Sequence, residues 1–541
     1  MSPQHSPNPA EREPRTGGPG APEVVPSEED SYVARVARGA GISTAGQGVG
    51  RLLGYLTQIL IARLFGPAYY GFYTAGVAAL NLAQIISRFG MENGVVRYVA
   101  HYRARGDDSR VRGTIIQAVG VACLASLVLS AVMFFGADFM AGWYYKEPTM
   151  ATVLRAFAAV LPFFVFMMMV LWATQGFQTV TYAAYVQQII RPALYLLLVP
   201  VFYLISDGIV GVVAAYGLSM LLGGVVAVYF LWRLFPGIFD PKIRPKFETR
   251  ALFSVSVPMS ISTGAQYLNT WSATWILAYF AAGAPVGIFN AAARTATFST
   301  IVRFAFSGIF SPIISSLHAQ GDRQSMGRLY KDISRWIFMG AFAIFMVILL
   351  LSHEILALFG GDFTAGWAAL ILVAFAQLYS SSVGPTPRML AMTDNQNVVM
   401  FATATAALVG VAVSTLLVGL ASTPEAKILG AAVGMSSAII SENTLTLAAV
   451  RRRLGFWPYN AEWLKPLAAG LLAAGAAYLL GLALPFSAAI PTIGVVGAAF
   501  GAVYLALLLL FGLSPTDREF VAAFWNVAKR YLRRGARRGG A

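Results

Sequence analysis

One cysteine in 541 residues removes several classes of function at once. Cys123 lies within an apolar stretch, so the chain has no intrachain disulfide, no cysteine zinc site and no Cys-x-x-Cys redox pair. Charge is scarce as well: 12% of residues are Asp, Glu, Lys or Arg, against 57% hydrophobic, where a soluble domain carries about one quarter charged residues. The loops between apolar stretches are too short to hold a soluble enzyme domain. A Gly-x-x-x-x-Gly-Lys-Ser/Thr motif is missing, which argues against ATP hydrolysis by this chain. Residues 1–38 lack an apolar core and are rich in Pro, Gly, Ser and Glu, so they read as a disordered cytoplasmic tail. The formal charge of +15 would suggest nucleic acid in a soluble chain. Here Lys and Arg cluster between apolar stretches, where the positive-inside rule accounts for them, and no nucleic-acid partner is expected.

What the chain has in abundance is membrane-length apolar sequence. A bilayer core takes about 20 residues per helix, and stretches of that kind fall at roughly 40–65, 71–98, 112–136, 151–175, 181–206 and 208–233. A second set falls near 250–280, 285–316, 330–352, 366–389, 396–421 and 427–450, with two more at about 463–484 and 490–512. The prediction is an all-α polytopic membrane protein of about 14 transmembrane helices. Basic clusters follow spans 2, 6, 8 and 12 (Arg97 to Arg112, Arg233 to Arg250, Arg323 to Arg335, Arg451 to Arg453), which puts both termini in the cytoplasm.

The sequence repeats itself. Phe135-Gly136-Ala137-Asp138-Phe139-Met140-Ala141-Gly142-Trp143 recurs as Phe359-Gly360-Gly361-Asp362-Phe363-Thr364-Ala365-Gly366-Trp367, identical at seven of nine positions. Each copy closes the third span of its set, where the Asp is expected to cap the next helix. Ala62 to Ala75 aligns more weakly with Ala278 to Ala291, and Gly106-Asp107 echoes Gly321-Asp322. Two six-span lobes follow, an N-lobe over 39–235 and a C-lobe over 236–455, related by a pseudo-twofold along the membrane normal. Residues 456–513 carry the two extra C-terminal helices, and 514–541 read as a basic amphipathic tail on the cytoplasmic leaflet. Paired lobes of this kind place a substrate site in their seam and work by alternating access.

Polar residues inside the spans nominate that site. Thr44, Gln47, Arg51, Tyr55 and Gln58 share a face of span 1; Gly46, Gly50 and Gly54 beside them read as a close-packing strip. Asn81, Gln84, Arg88 and Glu92 form a stripe in span 2, with an intrahelical Arg88–Glu92 pair as the alternative to a cavity role. Arg51 and Arg88 each sit roughly 15 Å deep at 1.5 Å per residue. Span 5 offers Gln187, Gln188 and Arg191 ahead of Pro192, a kink candidate. Span 7 gives Gln266 and Asn269, span 12 gives Glu442, and span 8 gives Asn290, Arg294 and Thr297. Arg303, nine residues beyond Arg294, belongs on the opposite face of a regular helix. The deep arginines Arg51, Arg88, Arg191, Arg294 and Arg303 outnumber the deep acids Glu92 and Glu442, which suits an anionic phosphate or carboxylate ligand. Glu92 and Glu442 are the candidates for proton or cation coupling; no metal site and no cofactor are expected.

Ala62-Arg63-Leu64-Phe65-Gly66-Pro67, then Tyr70-Gly71-Phe72-Tyr73, Phe89-Gly90-Met91-Glu92 and Arg97-Tyr98-Val99-Ala100, resemble the opening of the polysaccharide-biosynthesis flippases. These belong to the multidrug/oligosaccharidyl-lipid/polysaccharide exporter superfamily. The resemblance implies translocation of a polyprenyl-pyrophosphate-linked glycan across the cytoplasmic membrane by a two-lobed, V-shaped protein. Membrane lipid, the lipid-linked glycan and polysaccharide assembly proteins would be its partners. Lipid II flippases of the superfamily use cavity arginines in spans 1, 2 and 8, where Arg51, Arg88 and Arg294 stand here, and a groove shaped by their last two helices. The first lobe is expected to hold most of the positive charge, because Tyr267 and Phe304 fall at the repeat positions of Arg51 and Arg88. Two other readings are a cation-coupled multidrug exporter, which would favour acids in its cavity, and a membrane glycan polymerase.

Overall fold

The computed structural model describes residues 28–206, 208–483, 488–512 and 517–518. Of the tail expected over 514–541, only Asp517 and Arg518 lie inside the described residues. Every described element is a helix. The first set comprises α1 (Glu28–Arg88), α2 (Met91–Ala104), α3 (Asp108–Phe135), α4 (Thr149–Gln175), α5 (Thr181–Ile205) and α6 (Ile209–Leu234). The second comprises α7 (Thr249–Phe280), α8 (Ala284–Ala296), α9 (Thr300–Ala319), α10 (Arg323–Leu350), α11 (Trp367–Val383), α12 (Gln396–Leu420) and α13 (Pro424–Ala449). Finally come α14 (Leu464–Ala483) and α15 (Ala489–Leu510).

Ten helices among the described residues are long and apolar enough to cross a membrane, and the bent pair Ala284–Phe306 and Phe310–Ala319 makes an eleventh. The protein is a multi-pass membrane protein. α1 and α7, which fall outside those ten, carry the polar residues that dilute their hydropathy.

Several local breaks depart from regular spans. The first hairpin is one helix kinked at Gly66, whose φ of 72° and ψ of 178° are accessible to glycine and which Pro67 follows. Span 2 is not continuous over 71–98. It breaks at Phe89 and Gly90, both with positive φ (49° and 71°), and a Cβ on Gly90 would stand 2.1 Å from the Ser256 carbonyl of α7. The first helix starts at Glu28, inside the stretch read as tail. Neither nonapeptide Asp caps a following helix. Asp138 instead sits within the one-turn helix Ala137–Met140 and pairs with Arg155 on α4, while Asp362 lies in the 3-10 segment Gly361–Gly366.

The Gly-Asp echo does fold identically in both sets. Gly106 and Gly321 have φ of 68° and 73°, and Asp107 and Asp322 accept N-cap bonds of 3.0 Å from the backbone N–H of Arg110 and Ser325. Hydrogen bonds from Ser325, from its side chain first and its backbone N–H next, hold the Asp322 carboxyl below the usual range.

Across the two sets, α1 packs on α8 and α2 on α7. The α14–α15 pair leans on α10, where the Arg335 guanidinium, 3% exposed, reaches Asp517 at 2.6 Å and Asp332 and Glu462 at 3.6 Å. Trp336 Nε1 donates to the same Asp517 at 2.7 Å. One buried cation therefore ties the loop before α14 and the segment after α15 to the second set.

Candidate functional site

A cavity of about 810 Å³ lies between the two helix sets, within the range of small-molecule sites. α1 supplies Arg51, Tyr55, Gln58, Asn81 and Gln84; α5 supplies Gln187, Gln188 and Arg191; α8 and α9 supply Arg294 and Arg303. No Asp or Glu lines it among the described residues. Four guanidiniums therefore face one space without a carboxylate in the wall.

Hydroxyls and aromatic rings help to position these arginines. Arg51 Nη1 donates to Thr300 Oγ1 at 3.1 Å, and its guanidinium stacks 4.1 Å from the Phe304 ring centroid, a contact of about 0.5–2 kcal/mol. Arg303 donates to Ser380 Oγ, which in turn donates to Asn443 Oδ1 at 3.1 Å. Arg294 faces the Trp271 ring at 5.6 Å, and its buried Nε has no hydrogen-bond acceptor among the described residues. Arg191 lies 6.0 Å from the Tyr216 ring. Glu442, behind the wall, acts electrostatically on Arg303, but no acid stands in the described lining itself, so the cavity surface keeps an excess of positive charge.

The wall is built by helix irregularity. Gln187 and Gln188 lie in the π-helical turn Tyr185–Ile190, ahead of Arg191 and Pro192. Pro192 has no N–H for the Gln188 carbonyl, and α1 packs against that oxygen: a Cβ on Gly50 would stand 2.4 Å from it. Gly46 also faces Gln188, at 3.8 Å, whereas Gly54 has nothing within 4 Å and opens onto the cavity. Arg294 and Arg303 line the same space despite their nine-residue separation, because the 3-10 turn Thr297–Ser299 interrupts the helix between them. The expected opposition of these two is thereby corrected. The expected asymmetry of charge is corrected too, since two arginines come from each set.

Other nominated residues lie elsewhere. Arg88, 6% exposed, is outside the cavity lining and pairs with Glu92 at 3.9 Å across the break at Phe89–Gly90. Glu92 Oε2 and Gln84 Oε1 are buried without a hydrogen-bond partner among the described residues. Gln47 and Gln266 are not in the lining. Asn269 Nδ2 donates to Glu442 Oε2 at 3.1 Å, and Thr403 Oγ1 donates to Oε1 at 2.8 Å. Glu442 thus joins α7, α12 and α13 in the second set, outside the cavity wall.

Sequence reasoning missed Gln377, Trp271, Tyr195 and Tyr216 in the lining, and Ser380 and Asn443 behind Arg303. Gln377 and Ser380 sit three apart on α11, a spacing that marks one helical face.

The profile of the family described as "Polysaccharide biosynthesis protein" matches residues 36–318, more than half of the chain. Stage V sporulation protein B of Bacillus subtilis (strain 168) is 22% identical over 510 residues, spanning 89% of this chain and 96% of the relative. Among solved structures, lipid II flippase MurJ in an inward closed conformation superposes with a TM-score of 0.68 at 15% identity, over 87% of this chain and 98% of that one. An inward-facing multidrug resistance MATE family transporter of the MOP superfamily gives 0.61 at 14% identity, over 77% and 98%. At such identities the structural likeness bears on the fold.

Proposed function

The chain belongs to the polysaccharide biosynthesis protein family, and from that premise we propose that it is a flippase for a polyprenyl-pyrophosphate-linked glycan. It works across the cytoplasmic membrane by alternating access and catalyses no covalent step. The observation that carries this reading is the convergence of Arg51, Arg191, Arg294 and Arg303 on one cavity with no acid in its described wall. A pyrophosphate is a compact dianion or stronger, and planar guanidiniums recognise its oxygens bidentately. Arg294, with its open Nε, is the cation freest to take such an oxygen. Gln58, Asn81, Gln84, Gln187 and Gln188 supply amide donors and acceptors for sugar hydroxyls. Both termini are cytoplasmic under the positive-inside rule, which makes the Gly66–Gly71 turn the outer end of the cavity. The translocated product then passes to polysaccharide assembly proteins on the outer face.

The test is substitution in cells that depend on the protein. Arg51→Ala and Arg294→Ala are expected to lower glycan export roughly ten- to a hundredfold at normal protein level, the loss of about 1.5–3 kcal/mol per charge-assisted hydrogen bond. Lipid-linked glycan should accumulate on the cytoplasmic leaflet. Undiminished export in both variants would sink the reading, and efflux of a cationic dye would transfer it to a multidrug exporter.

A further inference from the structure

Gly71 and Gly287 bring the backbones of the two helix sets into close contact, and the approach is reciprocal. A Cβ built on Gly71 would stand 1.9 Å from the Gly283 carbonyl oxygen and 2.9 Å from the Gly287 nitrogen. A Cβ built on Gly287 would stand 2.1 Å from the Pro67 carbonyl oxygen and 3.0 Å from the Gly71 nitrogen. The alignment of Ala62 to Ala75 with Ala278 to Ala291 pairs Gly71 with Gly287 and Pro67 with Gly283. Each repeat residue therefore touches its own counterpart's neighbourhood in the same way, which is the signature of an isologous, twofold contact.

We infer that the pseudo-twofold axis of the protein passes between Gly71 and Gly287, and that this side-chain-free contact is the outer seal that opens when the lobes rock. The inference rests on the alternating-access reading. Around the contact the lobes exchange aromatic groups. Tyr70, fully buried, packs on Phe363 at 5.7 Å from the second nonapeptide, and Tyr144, next to the first nonapeptide, packs on Tyr279 at 5.2 Å. A seal of bare backbone on the axis suits a moving joint. Lobes rotating about the seam displace an on-axis contact as a whole, and it re-forms without any side chain having to find its rotamer. A methyl group at either position blocks re-closure by overlap with a carbonyl oxygen.

The experiment uses the full chain with Cys123→Ser, spin-labelled at Tyr69→Cys and its repeat counterpart Pro285→Cys, in lipid vesicles. Gly71→Ala and Gly287→Ala are each expected to shift the interlabel distance to longer values, by equal amounts, while Gly120→Ala, with nothing within 4 Å of its Cβ, leaves it unchanged. An unchanged distance in either folded variant, or a shift in one alone, overturns the inference. Where a variant does not fold, the parent pair decides: a second, longer population supports the opening seal, and a single short one overturns it. These distances need no cargo, so they stand or fall separately from the identity of the transported glycan.

Discussion

Removing the guanidinium of Arg88 leaves the Glu92 carboxylate, 6% exposed, in the interior with no cation at 3.9 Å. Breaking a buried pair from one side costs about 3–5 kcal/mol, so Arg88→Ala is expected to lower the thermal stability of the purified protein sharply. Arg88→Gln with Glu92→Gln should recover most of that loss, because neither charge is then left uncompensated. Arg51→Ala loses a bond to Thr300 and a stack on Phe304 beside a polar cavity, about 1 kcal/mol by comparison. Unfolding curves in detergent decide it: equal losses for the two single variants would contradict the division between a structural and a ligand-facing arginine. Depth was legible from the sequence for both residues, since it needs only rise per residue. Direction was not, because it depends on the break at Phe89–Gly90 and on Thr300 and Phe304, about 250 residues away from Arg51 along the chain.

At the scale of the element, the cavity owes its polarity to interrupted helices. The π-turn Tyr185–Ile190 presents Gln187 and Gln188 together with Arg191, an arrangement that π-bulges bring to functional sites. Pro192→Ala restores an N–H that can bond the Gln188 carbonyl and draw the turn toward regular α-helix. Rotating those glutamines away from the ligand is expected to reduce transport severalfold while thermal stability holds or rises, since a helix-interior proline costs ~3 kcal/mol. Wild-type transport by Pro192→Ala would show that the π-turn does not set the wall. The apolar stretches, the repeat and the turn at Gly66-Pro67 were legible because hydropathy and identity survive duplication. The π-turn and the 3-10 turn Thr297–Ser299 were not, since irregular hydrogen bonding is fixed by what packs alongside, here Gly50 against the Gln188 oxygen. That is why Arg303 joined Arg294 in the cavity against the expectation of a regular helix.

For the molecule as a whole, if the cavity binds an anion as proposed, it does so from either side, and we propose Glu442 as the acid that gives transport its direction. It joins α7, α12 and α13 through Asn269 and Thr403, and α7 is also the helix that α2 of the first set packs against. Asn269 Oδ1, buried with no hydrogen-bond partner among the described residues, points to an acceptor-rich niche that a cation or a protonated carboxyl would complete. Glu442→Gln keeps the shape and removes the charge. Flipping measured in vesicles should then lose its response to an imposed ion or proton gradient and continue only down the substrate gradient, at a rate set by Arg51 and Arg294. A Glu442→Gln variant that still responds to the gradient like the parent would move coupling away from the second lobe, leaving the buried Glu92 to test.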